Sequence, residues 1–91
     1  MRAVQVIVRG TVQGVGFRAF VEREAQALGL DGWVRNRRDG TVEAVITGDD
    51  AVVDRMLMAL RVGPPASDVE GLTIAPHAEV VATGFRTLPT E

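Results

Sequence analysis

The chain has 91 residues, of which 46% are hydrophobic and 24% charged, with a net charge of −2. That is room for one domain over residues 1–91, with a two-layer core and a surface cradle in place of a deep enclosed site. With no cysteine and one histidine, disulfides, thiolate sites, a cysteine nucleophile and a His-rich metal site are excluded, and the acidic balance argues against a general nucleic-acid binder.

The first predicted element is a strand over residues 4–8. Val4, Val6 and Val8 recur with period two, which marks one firmly buried face. It ends at Arg9-Gly10. No charged start, apolar run and small-residue cleavage site open the chain in order. No apolar run approaches the length of a membrane span. The expected location is therefore the cytoplasm, with no membrane partner. All ten basic residues are arginine, which reads as codon bias.

A glycine-rich loop follows, Gly10-Thr11-Val12-Gln13-Gly14-Val15-Gly16. Phe17, Phe20, Val21, Ala25 and Leu28 then fall on one helical face, with Glu22, Arg23, Glu24 and Gln26 opposite. Gly29 is the stop signal. Residues 32–38 read as a second strand, Asp39-Gly40 as a hairpin turn in which both residues tolerate positive φ, and 41–47 as a third strand. Gly48-Asp49-Asp50 opens a second helix, with either aspartate available to cap it. Its apolar stripe is Val53, Met56, Leu57 and Leu60, and Gly63-Pro64-Pro65 ends it. Residues 68–74 form a fourth strand, Pro76-His77 a turn, and 79–88 a weaker fifth strand ending before Pro89.

The order β-α-β-β-α-β is the ferredoxin-like split βαβ motif. The expected class is α+β: a sandwich of an antiparallel sheet of four to five strands with two helices on one face.

The segment from Gly10 to Arg18 carries the strongest chemical signal. A glycine loop entering a helix exposes several backbone N–H groups where the helix dipole is positive, which suits an anion. Arg18 in the first turn opposes that dipole, and a bound phosphate is the simplest counter-anion, since guanidinium can fork two of its oxygens. The competing reading is a tight turn with a surface arginine. Gly14-Val15-Gly16-Phe17-Arg18-Ala19 also fits the dinucleotide fingerprint G-x-G-x-x-A. However, that motif needs parallel flanking strands and a longer chain. A nucleotide-hydrolase phosphate loop needs a lysine, and the chain has none.

Asn36 is the second candidate. An amide both donates and accepts, so it can orient a water. On chemistry alone, the better reading is that Asn36 begins the turn toward Asp39-Gly40. Arg35, Arg37 and Arg38 read as a solvated face, Trp33 as core or half-buried, and His77 as exposed and inert.

Gly10-Thr11-Val12-Gln13-Gly14-Val15-Gly16-Phe17-Arg18 resembles the first signature of the acylphosphatases, and Gly32-Trp33-Val34-Arg35-Asn36 resembles the second. Asp39-Gly40-Thr41-Val42-Glu43-Ala44 and Gly63-Pro64-Pro65-Ala66 also match family habits. The likeness runs over roughly residues 4–74. It implies hydrolysis of the carboxyl-phosphate anhydride of a small acyl phosphate, with no metal and no cofactor, by a ferredoxin-like domain; a monomer is the default for a chain of this size. It implies that Arg18 binds the phosphoryl group, that the backbone of Val12, Gln13, Gly14, Val15, Gly16 and Phe17 cradles it, and that Asn36 holds the attacking water. In some members the terminal carboxylate contacts the catalytic arginine, which raises the question of where Glu91 lies. Similar domains also stand at the front of carbamoyltransfer proteins that mature hydrogenases, so a module serving carbamoyl phosphate is the alternative.

Overall fold

A computed structural model of the protein describes residues 1–91. Strand β1 (Arg2–Thr11) lies inside the sheet, and its alternating valines Val4, Val6 and Val8 are all buried. It pairs antiparallel with β3 (Val42–Gly48) on one side and with β4 (Asp68–Pro76) on the other. β2 (Asp31–Asn36) pairs antiparallel with β3. β5 (Phe85–Thr87) adds to β2 in parallel, giving the order β4-β1-β3-β2-β5. The expected antiparallel sheet thus holds across four strands, and a fifth joins by one parallel pair.

Helices α1 (Phe17–Ala27) and α2 (Asp50–Val62) bury Phe17, Val21 and Ala25, and Val53, Met56, Leu57 and Leu60, respectively. These meet Val6, Val8, Val34, Ala44 and Ile46 of the sheet in one core. Each fully buried Val, Leu, Met or Phe side chain adds about 1.5–3 kcal/mol from the area taken out of water. α1 ends in a Schellman turn: Leu30 N–H donates to the Ala25 carbonyl at 2.9 Å and Gly29 N–H to that of Gln26 at 3.1 Å. Leu30 follows this turn into the core.

Five sequence expectations change. β1 runs on to Thr11, past Gly10, because a bulge at Arg9/Gly10 brings β1 so close to β4 that a Cβ on Gly10 would lie 2.1 Å from the Asp68 carbonyl oxygen. β4 continues to Pro76, which an edge strand tolerates. The fifth strand is three residues long, not ten, because it pairs only where the chain passes β2. Beyond it, Leu88 N–H still donates to the Val34 carbonyl and Glu91 N–H to that of Asn36. Asp49 is the N-cap of α2 but makes no side-chain cap bond. Asp50 in the first turn instead complements the dipole.

The β2–β3 hairpin also departs from the two-residue turn. Arg37 N–H donates to the Thr41 carbonyl and Gly40 N–H to that of Arg37, which leaves a three-residue loop, Arg38-Asp39-Gly40. Only Gly40 has a positive φ, of 92°. Asp39 contributes its side chain: Oδ1 accepts from Thr41 N–H at 3.0 Å and from Thr41 Oγ1 at 2.6 Å.

Candidate active site

Residues 12–16 carry the chain from the centre of the sheet into α1. Val12 is 1% exposed and belongs to the core, so its side chain anchors the loop. Gly14 and Gly16 have φ of 73° and 79°, while Val15 between them has a negative φ. Alternating hands along successive residues turn backbone N–H groups toward one concavity, which suits an anion. An added Cβ at either glycine would meet nothing within 4 Å, so these positions are glycine for conformation and not for space. No N–H of residues 12–16 donates to another backbone group. Gly16 is the N-cap of α1 in a left-handed conformation, with no side-chain cap and no acid in the first turn. The free N–H groups of that turn and the positive end of the dipole therefore face the loop unneutralised.

A cavity of about 500 Å³ opens here, lined by Val12, Gly14, Gly16, Phe17, Arg18 and Asn36 at one end. Arg18 is half-buried and forms no ion pair or side-chain hydrogen bond within the protein. Asn36, the last residue of β2, sits opposite Val42 and shares the helix-covered face with Val34. Its Oδ1 is the one buried side-chain oxygen or nitrogen in the protein without a hydrogen-bond partner. Leaving such an atom unpaired costs about 1–3 kcal/mol, and the residue that carries it lines the cavity.

The sequence candidates therefore converge, with two exceptions of placement. Neither Gln13 nor Val15 lines the cavity. The Gln13 amide turns away and donates to the carbonyls of Arg37 and Thr41 at 2.7 and 2.8 Å, tying the loop to the hairpin that carries Asn36. Val15 packs partly buried against the core. For these two, only the backbone can belong to a cradle.

Glu91 lies elsewhere. Its side chain pairs with Arg35, and its backbone oxygen accepts from Arg38 N–H at 3.2 Å. Arg35 is thus no idle part of a solvated face. It bonds Glu43 Oε1 through Nε at 2.8 Å and stacks 4.6 Å from the Trp33 ring, on the side of the sheet away from the helices. Trp33 is half-buried there, and His77 is half-buried outside the cavity.

The other end of the cavity escaped the sequence reading. It is lined by Ala19, Glu22, Arg23 and Gln26 of α1 and by Thr87 of β5. Arg18, Glu22 and Gln26 stand at i, i+4 and i+8, so helical spacing alone could have joined them. Thr87 gave no such signal, because its place depends on the parallel pairing of β5.

The family model described as acylphosphatase matches residues 4–87. An acylphosphatase of Rhodospirillum rubrum is 46% identical over 90 residues, covering 99% of both chains. The crystal structure of an acylphosphatase from Bacillus subtilis superposes with a TM-score of 0.91 at 36% identity, over 97% of this chain and 99% of that one. HypF from T. kodakarensis matches at 30% identity and a TM-score of 0.82, over 99% of this chain and 12% of its own. Family model, full-length relative and solved structure agree with the two signatures that form the cavity, and the chain belongs to the acylphosphatase family.

Proposed function

We propose that the protein hydrolyses acyl phosphates, and that Arg18, the 12–17 backbone and Asn36 carry the reaction. The phosphoryl group sits on the free N–H groups of the loop and the first turn of α1, with the Arg18 guanidinium forked over two of its oxygens. The Asn36 amide holds a water and fixes it for attack on phosphorus. The new bond is P–O from that water, and the bond that breaks joins phosphorus to the acyl oxygen, which leaves as a carboxylate. The water's proton passes to a phosphate oxygen. A carboxylate is a good leaving group, so no general acid is required, and phosphoryl transfer rests on positioning and charge stabilisation. The observation that carries this reading is that Asn36, whose side-chain oxygen has no partner in the protein, lines the same cavity as an unpaired arginine.

The family resemblance implies that no metal or cofactor takes part. We read the working form as a cytoplasmic monomer acting on a small acyl phosphate without nucleic acid. No helix is long and apolar enough to cross a membrane. The test follows benzoyl phosphate hydrolysis with EDTA present. The protein should turn it over, Arg18→Ala should lose a factor on the order of 10³, and Asn36→Ala should lose most turnover with phosphate binding retained. The match to HypF favours one second reading, a domain that handles carbamoyl phosphate. Folded protein that binds phosphate but leaves benzoyl phosphate intact would select it.

A further inference from the structure

Arg18 and Glu22 stand at i and i+4 on α1 and line the same cavity. Opposite charges at that spacing are within reach of one another, although the order with the arginine first is the weaker one. Here they do not meet. The Glu22 carboxylate is taken by two other donors: Oε2 accepts from the Thr87 hydroxyl, and Oε1 from Gln26 Nε2 at 3.4 Å. Gln26 in turn donates to the Phe85 carbonyl at 3.2 Å, so both contacts clasp α1 to β5. Arg18 is left with no carboxylate partner.

We propose that Thr87 is a positioning residue that holds the Glu22 carboxylate off Arg18 and so keeps the guanidinium free for the phosphoryl group. This rests on the reading of Arg18 as the phosphoryl-binding residue. The Thr87 hydroxyl holds Glu22 toward β5. Without it, only the long Gln26 contact restrains the carboxylate, which can then swing to its helical neighbour and compete with the substrate for the same guanidinium. Such competition acts on the free enzyme and is relieved once substrate is bound. It therefore raises KM and leaves kcat alone. A side chain that merely stabilised the fold would not produce that split, nor a defect that a second substitution at Glu22 reverses.

The experiment compares the full chain with Thr87→Val, Thr87→Ser, Glu22→Gln and the double variant. It measures benzoyl phosphate kinetics and the inhibition constant of inorganic phosphate. Thr87→Val should raise KM and the phosphate inhibition constant together, by about two- to fivefold, the upper range for a half-exposed ion pair, with kcat within twofold. Thr87→Ser, which keeps the hydroxyl, should match the native protein. Glu22→Gln should not weaken phosphate binding, and the double variant should recover native values. An unchanged inhibition constant in Thr87→Val, or a defect that persists in the double variant, overturns the proposal. If Thr87→Val does not fold, Thr87→Ala carries the same expectations. Phosphate binding by Arg18→Ala separates the role of Arg18 from that of Thr87: binding as tight as native would remove the role of Arg18 itself, whatever Thr87 does.

Discussion

Gln13 Nε2 donates to the Arg37 backbone oxygen at 2.7 Å, one residue beyond Asn36. With the second bond, to the Thr41 carbonyl at 2.8 Å, a single amide fixes the separation between the loop that would hold the phosphoryl group and the strand end that would hold the water. Gln13→Ala removes both bonds, while each carbonyl keeps its backbone partner in the hairpin, Gly40 N–H at Arg37 and Arg37 N–H at Thr41. The expected stability loss is about 1–2 kcal/mol. The expected loss in kcat/KM is about tenfold or more, because reacting groups held on two elements lose their alignment. Urea melts and benzoyl phosphate kinetics on one preparation check both. A variant that loses stability but keeps full kcat/KM would show that the hairpin positions Asn36 unaided.

The glycines of the site differ in what they do. Gly16 needs its left-handed φ of 79° but has open space around it. Gly16→Ala should cost roughly 1–2 kcal/mol for that conformation, with weaker phosphate binding as the loop relaxes. At Gly10 a Cβ would lie 2.1 Å from the Asp68 carbonyl oxygen and 2.8 Å from the Glu70 nitrogen. Both are backbone atoms that cannot step aside, so Gly10→Ala must part β1 from β4. It should cost more than Gly16→Ala, about 3 kcal/mol or more on the scale of overpacking. Thermal melts of the two variants rank them, and the reverse order would disprove the distinction.

Periodicity made the two helices and the first four strands legible. Val4, Val6 and Val8, and the Val53, Met56, Leu57 and Leu60 stripe, each have one period and one buried face. The glycine-rich entry to α1 was legible as a loop, but the residues alone left an anion cradle and a tight turn with a surface arginine as competing readings of it. Asn36 was not distinguishable on chemistry alone from a turn residue. What sets it apart is an unpartnered buried oxygen, a property of packing that sequence does not encode locally. Thr87 and the course of the last residues were illegible for a related reason. A three-residue strand has too few positions to show alternation, and its parallel partner lies about fifty residues away in the chain.

Glu43 offers a test of the sheet's outer face. It is 4% exposed, yet accepts from Gln5 Nε2 at 2.5 Å and Arg35 Nε at 2.8 Å. Removing one partner from a buried pair strands the other. Arg35 keeps Glu91 and the Trp33 ring, so Glu43→Ala should cost about 1–3 kcal/mol, below a full buried-pair loss. Because this face is opposite the cavity side, kcat should stay within twofold. A large fall in kcat at unchanged stability would mean that the outer face reaches the site through β2.

Asp39 sets the acid limit of the hairpin. Its carboxyl is held below the ordinary value of 3.8, first by the Thr41 hydroxyl, then by the Thr41 N–H, with a smaller contribution from the Arg37 guanidinium 3.9 Å away; slight desolvation opposes them. A folded pKa lowered below the unfolded one means that the folded state prefers the carboxylate. The contribution to stability is therefore complete above 3.8 and is lost as pH falls through the lower folded value. Asp39→Asn keeps an oxygen to accept from Thr41 but loses the charge. Urea midpoints should show the native protein more stable than this variant at neutral pH. The gap should close only below about pH 4, as the native carboxylate takes up its proton. A gap that persists unchanged to pH 2 would mean that the asparagine fails through geometry, and that the charge on Asp39 does nothing for the turn.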